Sequence, residues 1–304
     1  ADVLAMTDPE GLEYLIVDAM NLGRGQHSWI NPEGIAGDTL YIQEPFALQT
    51  MINAYMLHTG DREFLDKHAG DRTIYAWMKR WAEILNDYAT GPDGLLDLGY
   101  HTGILIEVRT DGYDHMVPVV NILAADFYRQ LSEWAAQQGE SALSKQYAAR
   151  ADQLRKANTK HLWNQEQGWF DNLHPDGKKT TFWTVHLFDA LSTDAITAQQ
   201  RTALVSHLNE QEFLGELGVY SVSLADDVHW DLMDTDFGGG GCFIGEPMRL
   251  ARSLYAHGDP SRGWDVLRRV ARQTHHFPYF PQASRIDEAY EHFAAGNLNI
   301  SCAG

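Results

Sequence analysis

The chain is poor in several things that would place a protein quickly. It has two cysteines, Cys242 and Cys302, in 304 residues. So few thiols exclude a disulfide-stapled scaffold; one bridge could form, but the expectation is two buried thiols, which leaves the redox compartment open. Positive charge is scarce, with 23 Lys and Arg against 42 Asp and Glu and a formal net charge of −19. A nucleic-acid partner needs a basic surface to meet its phosphates, so nucleic acid is excluded as a partner. No apolar run approaches the ~18 residues that mark a membrane span. No signal peptide is recognisable at a start that looks trimmed, and a periplasmic or secreted protein is expected over a cytoplasmic one.

Signature motifs are missing too. There is no His-Glu-x-x-His and no Cys/His pair at ligand spacing, so no metal is expected. The glycines from Gly238 to Gly241 lack the Lys-Ser/Thr of a phosphate-binding loop. No Gly-x-Ser-x-Gly is present, and Cys242 has no obvious base beside it in sequence. The expectation is an active site without cofactor.

What the chain has is alternation. Read for helical periodicity, about nine helical segments follow one another, joined by connections that are in turn short and long. The short ones fall near Thr59 to Gly70, Gly139, Ser192 to Asp194 and Gly258-Asp259. The long ones run from Gly23 to Asp38, Thr90 to Asp114, Trp163 to Lys179, Asn209 to Gly241 and His275 to Asn297. Long connections without structure of their own are uncommon and usually functional.

The helices are of two kinds. Ile74, Trp77, Trp81, Leu85 and Tyr88 make one amphipathic stripe; Leu143, Tyr147, Ala151 and Leu154 make a second; Trp264, Leu267 and Val270 make a third. Between them Phe46 to Leu57, Val117 to Leu131, Phe182 to Leu191 and Phe243 to Tyr255 read as apolar on most sides, hence buried. Half-solvated outer helices thus alternate with buried inner ones. Stacked hairpins of this kind predict an all-α fold, an (α/α)6 toroid, with the long loops gathered on one face. Residues 1–304 read as a single barrel domain, incomplete at one or both ends, because a closed ring of six hairpins needs twelve helices.

Every long loop carries carboxylates, and most must be solvated charges or caps. Those flanked by apolar or aromatic residues are different, because such surroundings raise a carboxyl pKa toward the range of a general acid. Glu107 follows Ile104-Leu105-Ile106, with Arg109 close by; Asp111 and Asp114 lie in a more polar stretch. Glu288 stands between an aromatic–proline loop and Tyr290. Hydrolysis of a glycosidic bond requires one carboxylic acid to protonate the leaving oxygen and a second carboxylate to activate water or attack the anomeric carbon. Trp29, Tyr41, Trp169, Trp183 and Tyr290 fall in or beside the loops and would offer stacking surfaces for sugar rings. Gln43, Glu44, Arg109, His186 and Glu246 are candidate polar contacts to the substrate. The acidic balance suits a neutral oligosaccharide or polysaccharide.

Four stretches carry a resemblance. They are VPVVNILAADFYRQLSEWAAQQG, HLWNQEQGWFDN, FLGELGVYSVSLADD and EAYEHFAAGNLNISCAG, in that order. Together they resemble the six-hairpin glycosidases, the α/α-toroid hydrolases that include trehalases and processing-glucosidase-like enzymes. The resemblance implies a glycoside hydrolase whose acid lies in the loop before Val117, where TGILIEVR points to Glu107. It implies a base in the closing segment, here Glu288, and an inverting mechanism. Asn121 matches the family's Asn or Asp near the start of its inner helix. One departure is marked: the family's Trp-x-Gly-Pro-Val-Trp is replaced by DFGGGGCFIGEP, which brings Glu246 toward the site and leaves the substrate open. Two other readings use the same fold. A polysaccharide lyase or sugar epimerase would draw on Arg109, Tyr113 and His115, although a −19 chain suits a polyanion poorly. A non-catalytic carbohydrate-binding protein would bind sugar without turnover.

Overall fold

The computed structural model describes residues 2–23, 40–99, 104–105, 113–230, 241–243, 245–272, 281–285 and 294–298. Nine α-helices lie among the described residues: α1 (Asp2–Thr7), α2 (Pro9–Gly23), α3 (Glu44–Thr59), α4 (Ile74–Asp87), α5 (Pro118–Gln137), α6 (Ser141–Ala157), α7 (Ala198–Ser206), α8 (Gly245–Ala256) and α9 (Pro260–Ala271). The chain divides into two compact units. The first comprises residues 1–106, 114–116 and 123–157; the second comprises 107–113, 117–122 and 158–304.

In the first unit α4 shows how the sequence makes a helix. Thr73 caps it, its hydroxyl accepting from Ala76 N at 3.1 Å. Ile74, Trp77, Met78, Trp81 and Leu85 then recur on one buried side. The Tyr128 hydroxyl of α5 donates toward Ala82 O at 2.9 Å and Asn86 Oδ1 at 2.8 Å, so its polar end is satisfied within the core. Phe46 meets Phe127 edge-on at 5.9 Å. Ala124, Ala125 and Leu131 of α5 are buried in this unit; Val119, Val120 and Ile122, at the start of α5 and in the second unit, are buried too, as their sequence requires.

The second unit is built on Trp169. Its ring is fully buried, its Nε1 donates to Phe182 O at 2.9 Å, and it stacks on Phe213 at 5.7 Å. Trp169 belongs to a three-stranded antiparallel sheet, Trp163–Asn164, Trp169–Leu173 and Lys179–Thr181, so the third long connection is a meander rather than a loop. The Gly-rich stretch likewise ends in a strand, Gly241–Phe243, which pairs with Pro281–Arg285, itself paired with Ala294–Leu298.

Three helical expectations need correction. Phe182 to Leu191 is not an α-helix. Val185–Ser192 is a 3₁₀ run, and the residues before it are drawn into β-like pairing: Thr184 bridges Val222, Ser223 N donates to Trp183 O, and Val185 N donates to Ser221 O, both at 2.9 Å. Helix α8 is not buried all round, because Arg249, Arg252 and Tyr255 are exposed. On α9 the buried stripe is Gly263, Val266 and Val270, while Trp264 is 60% exposed. Gly263 is the reason for that phase. A Cβ there would lie 3.0 Å from the Tyr255 ring and 3.2 Å from Ala251 O, so α9 turns its smallest residue to α8. The turn between these helices uses Gly258 at φ +81°, which glycine adopts without a Cβ clash.

Candidate functional site

Two elements of the second unit bring ionisable side chains together. A 3₁₀ helix has three residues per turn, so positions i and i+3 eclipse. His186 and Asp189 stand in that relation on Val185–Ser192. On an α-helix i and i+3 also share a face, and Glu246 and Arg249 stand so in α8. The two pairs meet. Arg249 Nη2 donates to Asp189 Oδ2, and lies 3.3 and 3.2 Å from the two carboxylate oxygens of Glu246. His186 Nε2 lies 3.9 Å from Glu246 Oε1. Had residues 185–192 wound as an α-helix, Asp189 would fall about 60° short of eclipsing His186.

Burial sets the electrostatics. Asp189 and Glu246 are 8% exposed, and His186 1%. Burial pushes the Asp189 carboxyl up; Arg249 pulls it back and Glu246 pushes it further, leaving it at about 7. Tyr113 is buried against the same charges. Its phenol is held above the usual tyrosine range by burial first, then by Asp189 and Glu246. Tyr113 packs on Phe182 at 5.0 Å, and the His229 ring stacks on Phe182 at 4.0 Å. His229 is fixed in turn by Asp226, whose oxygens lie 2.8 and 2.9 Å from its Nδ1. Asp226 Oδ1 also accepts from the backbone N of Val228 and His229, at 3.2 and 3.0 Å. The arrangement presents carboxylates, a guanidinium, an imidazole and a phenol within one unit, a set suited to hydrogen bonding sugar hydroxyls and to holding or moving a proton. Among the described residues no three His, Cys, Asp or Glu side chains are grouped to hold a metal ion.

The residues expected from sequence fall into three groups. Glu107, Asp111, Glu288, Trp29, Arg109 and Tyr290 lie outside the described residues, as does Cys302. Tyr41 and Glu44 have described backbone, in a short strand and in the first turn of α3, but their side chains lie outside the description, as does that of Cys242. The others are described. Gln43 is half-buried at the start of α3 and makes no side-chain cap. Asn121 is fully buried in α5 and its amide donates to Val117 O at 3.0 Å, one turn back in the same helix. Trp183 is half-buried against Trp169 and His207, each ring centroid 4.9 Å away. His186 and Glu246 are the two that the structure brings together.

Asp189 and Arg249 escaped the sequence reading. Asp189 is the only acidic side chain in FWTVHLFDAL, and the signal was there: a lone carboxylate in an apolar segment must find a partner. The spacing Glu246-x-x-Arg249 in EPMR was the second half of it. What the sequence could not supply was the 3₁₀ winding that makes them face each other.

Residues 96–229 match the family model of the mannosylglycerate hydrolase MGH1-like glycoside hydrolase domain. No curated protein sequence matches the chain. Among solved structures it is similar to a sialidase, at 14% identity and a TM-score of 0.70 over 92% of this chain and 26% of that one. It is also similar to the GH78 family rhamnosidase of Bacillus sp. GL1, at 16% identity and a TM-score of 0.57 over 78% of this chain and 22% of that one. The chain thus spans about a quarter of the length of these structures. These likenesses show a shared fold, and the match to the glycoside hydrolase domain model is confined to residues 96–229, less than half of the chain.

Proposed function

We propose that the chain carries the catalytic domain of a glycoside hydrolase acting on an oligosaccharide or glycan. The observation that carries this reading is the family match over residues 96–229, which begins before Glu107 and ends at His229. That stretch draws on both compact units, which supports one catalytic domain over residues 1–304. Glu107 is the proposed general acid, with Asp111 the alternative to it, and Glu288 the proposed base in an inverting hydrolysis. In such a reaction the acid protonates the glycosidic oxygen while the base takes a proton from water attacking the anomeric carbon. Trp29, Tyr41, Trp183 and Tyr290 would stack on sugar rings; Gln43, Glu44, Arg109, Asn121, His186 and Glu246 would contact hydroxyls. The cluster of His186, Asp189, Glu246 and Arg249 supports a polar, partly desolvated subsite in the second unit.

The test is a panel of nitrophenyl glycosides and disaccharides, with mannosylglycerate included because the matched family is described by it. One member should be hydrolysed. Glu107→Gln and Glu288→Gln should each lower kcat by ~10²–10⁴-fold with Tm retained. If both variants hydrolyse the same substrate at the wild-type rate, these two roles are wrong. NMR of the first-formed sugar should show inverted anomeric configuration; retention excludes the inverting mechanism.

A further inference from the structure

One side of α6 repeats a polar pattern. Gln146, Arg150 and Gln153 stand at i, i+4 and i+7, and so share a face of the helix. With Asn86 in the last turn of α4 and Tyr128 of α5, they line a cavity of about 240 Å³ in the first compact unit. Its floor is made by Tyr128 and Tyr147, both buried, and by the half-buried Arg150. Its rim carries the exposed amides of Asn86, Gln146 and Gln153. No Asp or Glu lines it, in a chain that has 42 of them.

Arg150 is held there by neutral groups. Its Nη2 donates to Gly94 O at 2.7 Å, its Nη1 donates to Gln153 Oε1 at 3.0 Å, and its Cζ lies 5.7 Å from the centroid of the Tyr128 ring. Gly94, at φ +79°, makes the room: a Cβ there would lie 2.5 Å from Arg150 Nη1 and 2.9 Å from Gln153 Nε2. Among the described residues no carboxylate stands within ion-pair distance of this guanidinium. A partly desolvated cation without a counter-charge is costly, and a bound anion offsets that cost. The groups around it are donors. Gln153 has its oxygen engaged by Arg150, which turns its amide nitrogen to other partners, and each terminal nitrogen of Arg150 keeps a second hydrogen. The Tyr147 phenol stays protonated, pushed up to about 12 by burial first, then by Glu140 and Glu83. Those two carboxylates are themselves paired, with Lys79 at 3.1 Å and Arg80 at 2.9 Å.

We propose that this cavity is a binding site for a small organic monocarboxylate, whose oxygens meet Arg150, with the Gln153 amide and the Tyr147 hydroxyl as further donors. One guanidinium offsets one negative charge, which favours a carboxylate over a doubly charged phosphate. The volume lies below the ~300 Å³ at which pockets begin to take drug-sized ligands, so the body of the ligand is about one six-membered ring. None of the residues assigned to hydrolysis lines this cavity, and the inference does not depend on that assignment.

The experiment is calorimetric titration of the whole chain near neutral pH and at constant ionic strength, with sodium glucuronate, sodium benzoate, glucose and inorganic phosphate as probes. At least one of the two carboxylates should bind saturably, with one site per chain, and about tenfold or more tighter than glucose or phosphate. Arg150→Gln should weaken that binding at least tenfold, because the charge-assisted hydrogen bonds are lost. Ala149, exposed on the rim, offers a second variant: Ala149→Phe narrows the mouth, keeps every contact of Arg150, and should weaken binding by a similar factor.

Thermal unfolding establishes that each variant is folded. If Arg150→Gln does not fold once Gly94 O loses its donor, Ala149→Phe decides alone. Carboxylate affinity unchanged in Ala149→Phe, or in a folded Arg150→Gln, overturns the proposal. So does the absence of saturable carboxylate binding to wild type, and so does glucose or phosphate binding as tightly as the carboxylates. Binding is read without turnover, so a failure to hydrolyse any glycoside leaves this result standing.

Discussion

At the scale of the residue, burial decides what an aromatic side chain is for. Trp169 sits beside a long connection in sequence and reads there as a candidate sugar platform. In the structure it has no exposed surface, and its indole N–H satisfies Phe182 O at 2.9 Å. It is the centre of a core, with Phe188 edge-on at 5.6 Å and Phe213 stacked beneath. Trp169→Phe should therefore cost stability by ~0.5–1.5 kcal/mol, because Phe182 O loses one of its two donors and keeps Thr184 N at 3.1 Å. Trp169→Ala should cost ~3–5 kcal/mol by opening a cavity. Urea denaturation measures both. An exposed platform would give neither loss, since truncating it breaks no buried hydrogen bond and opens no cavity. The same scale explains why Asp189 was not read from the sequence. An isolated acidic residue in an apolar segment announces that it needs a partner but not which one, and its partner lies 60 residues away on α8.

At the scale of the element, sequence was most informative where local chemistry and tertiary packing agree. Helix α4 has a threonine cap and a regular apolar stripe, and both are realised. Helix α7 has a full capping box, Thr197 with Gln200. Agreement fails where a neighbour overrides the local pattern. The segment from Trp183 has helical apolar content, yet β-like pairing with residues 221–223 takes its first residues, and what remains winds as 3₁₀. On α9 the apolar residues allow two phases. Close approach to α8 selects the one that puts Gly263 inward and Trp264 outward. That phase is testable by truncation. Trp264→Ala should change stability by no more than ~0.5 kcal/mol, as surface substitutions do. Val270→Ala, on the buried side, should cost roughly 1–3 kcal/mol. The order reverses if Trp264, rather than Val270, packs in the core, and thermal unfolding of the two variants decides it.

At the scale of the whole molecule, charge is the property that sequence states without any structure. A net charge of −19 surrounds the protein with a negative potential that salt screens with a Debye length of ~8 Å at physiological ionic strength. That potential does little to a neutral glycan approaching the site. An anionic one, such as a uronate polymer, is repelled over several ångströms before it makes any contact. The two kinds of substrate therefore separate by salt dependence. For a neutral glycoside kcat/KM should change by less than about twofold between 10 and 150 mM NaCl, because only the charge of the protein is screened. For a charged substrate it should rise steeply over the same range, as repulsion is removed from the encounter. A steep rise on the best substrate would move the protein toward the lyase-type chemistry that its acidity argues against. The signs of its charges, rather than its fold, are what discriminate here, since one fold can house either reaction.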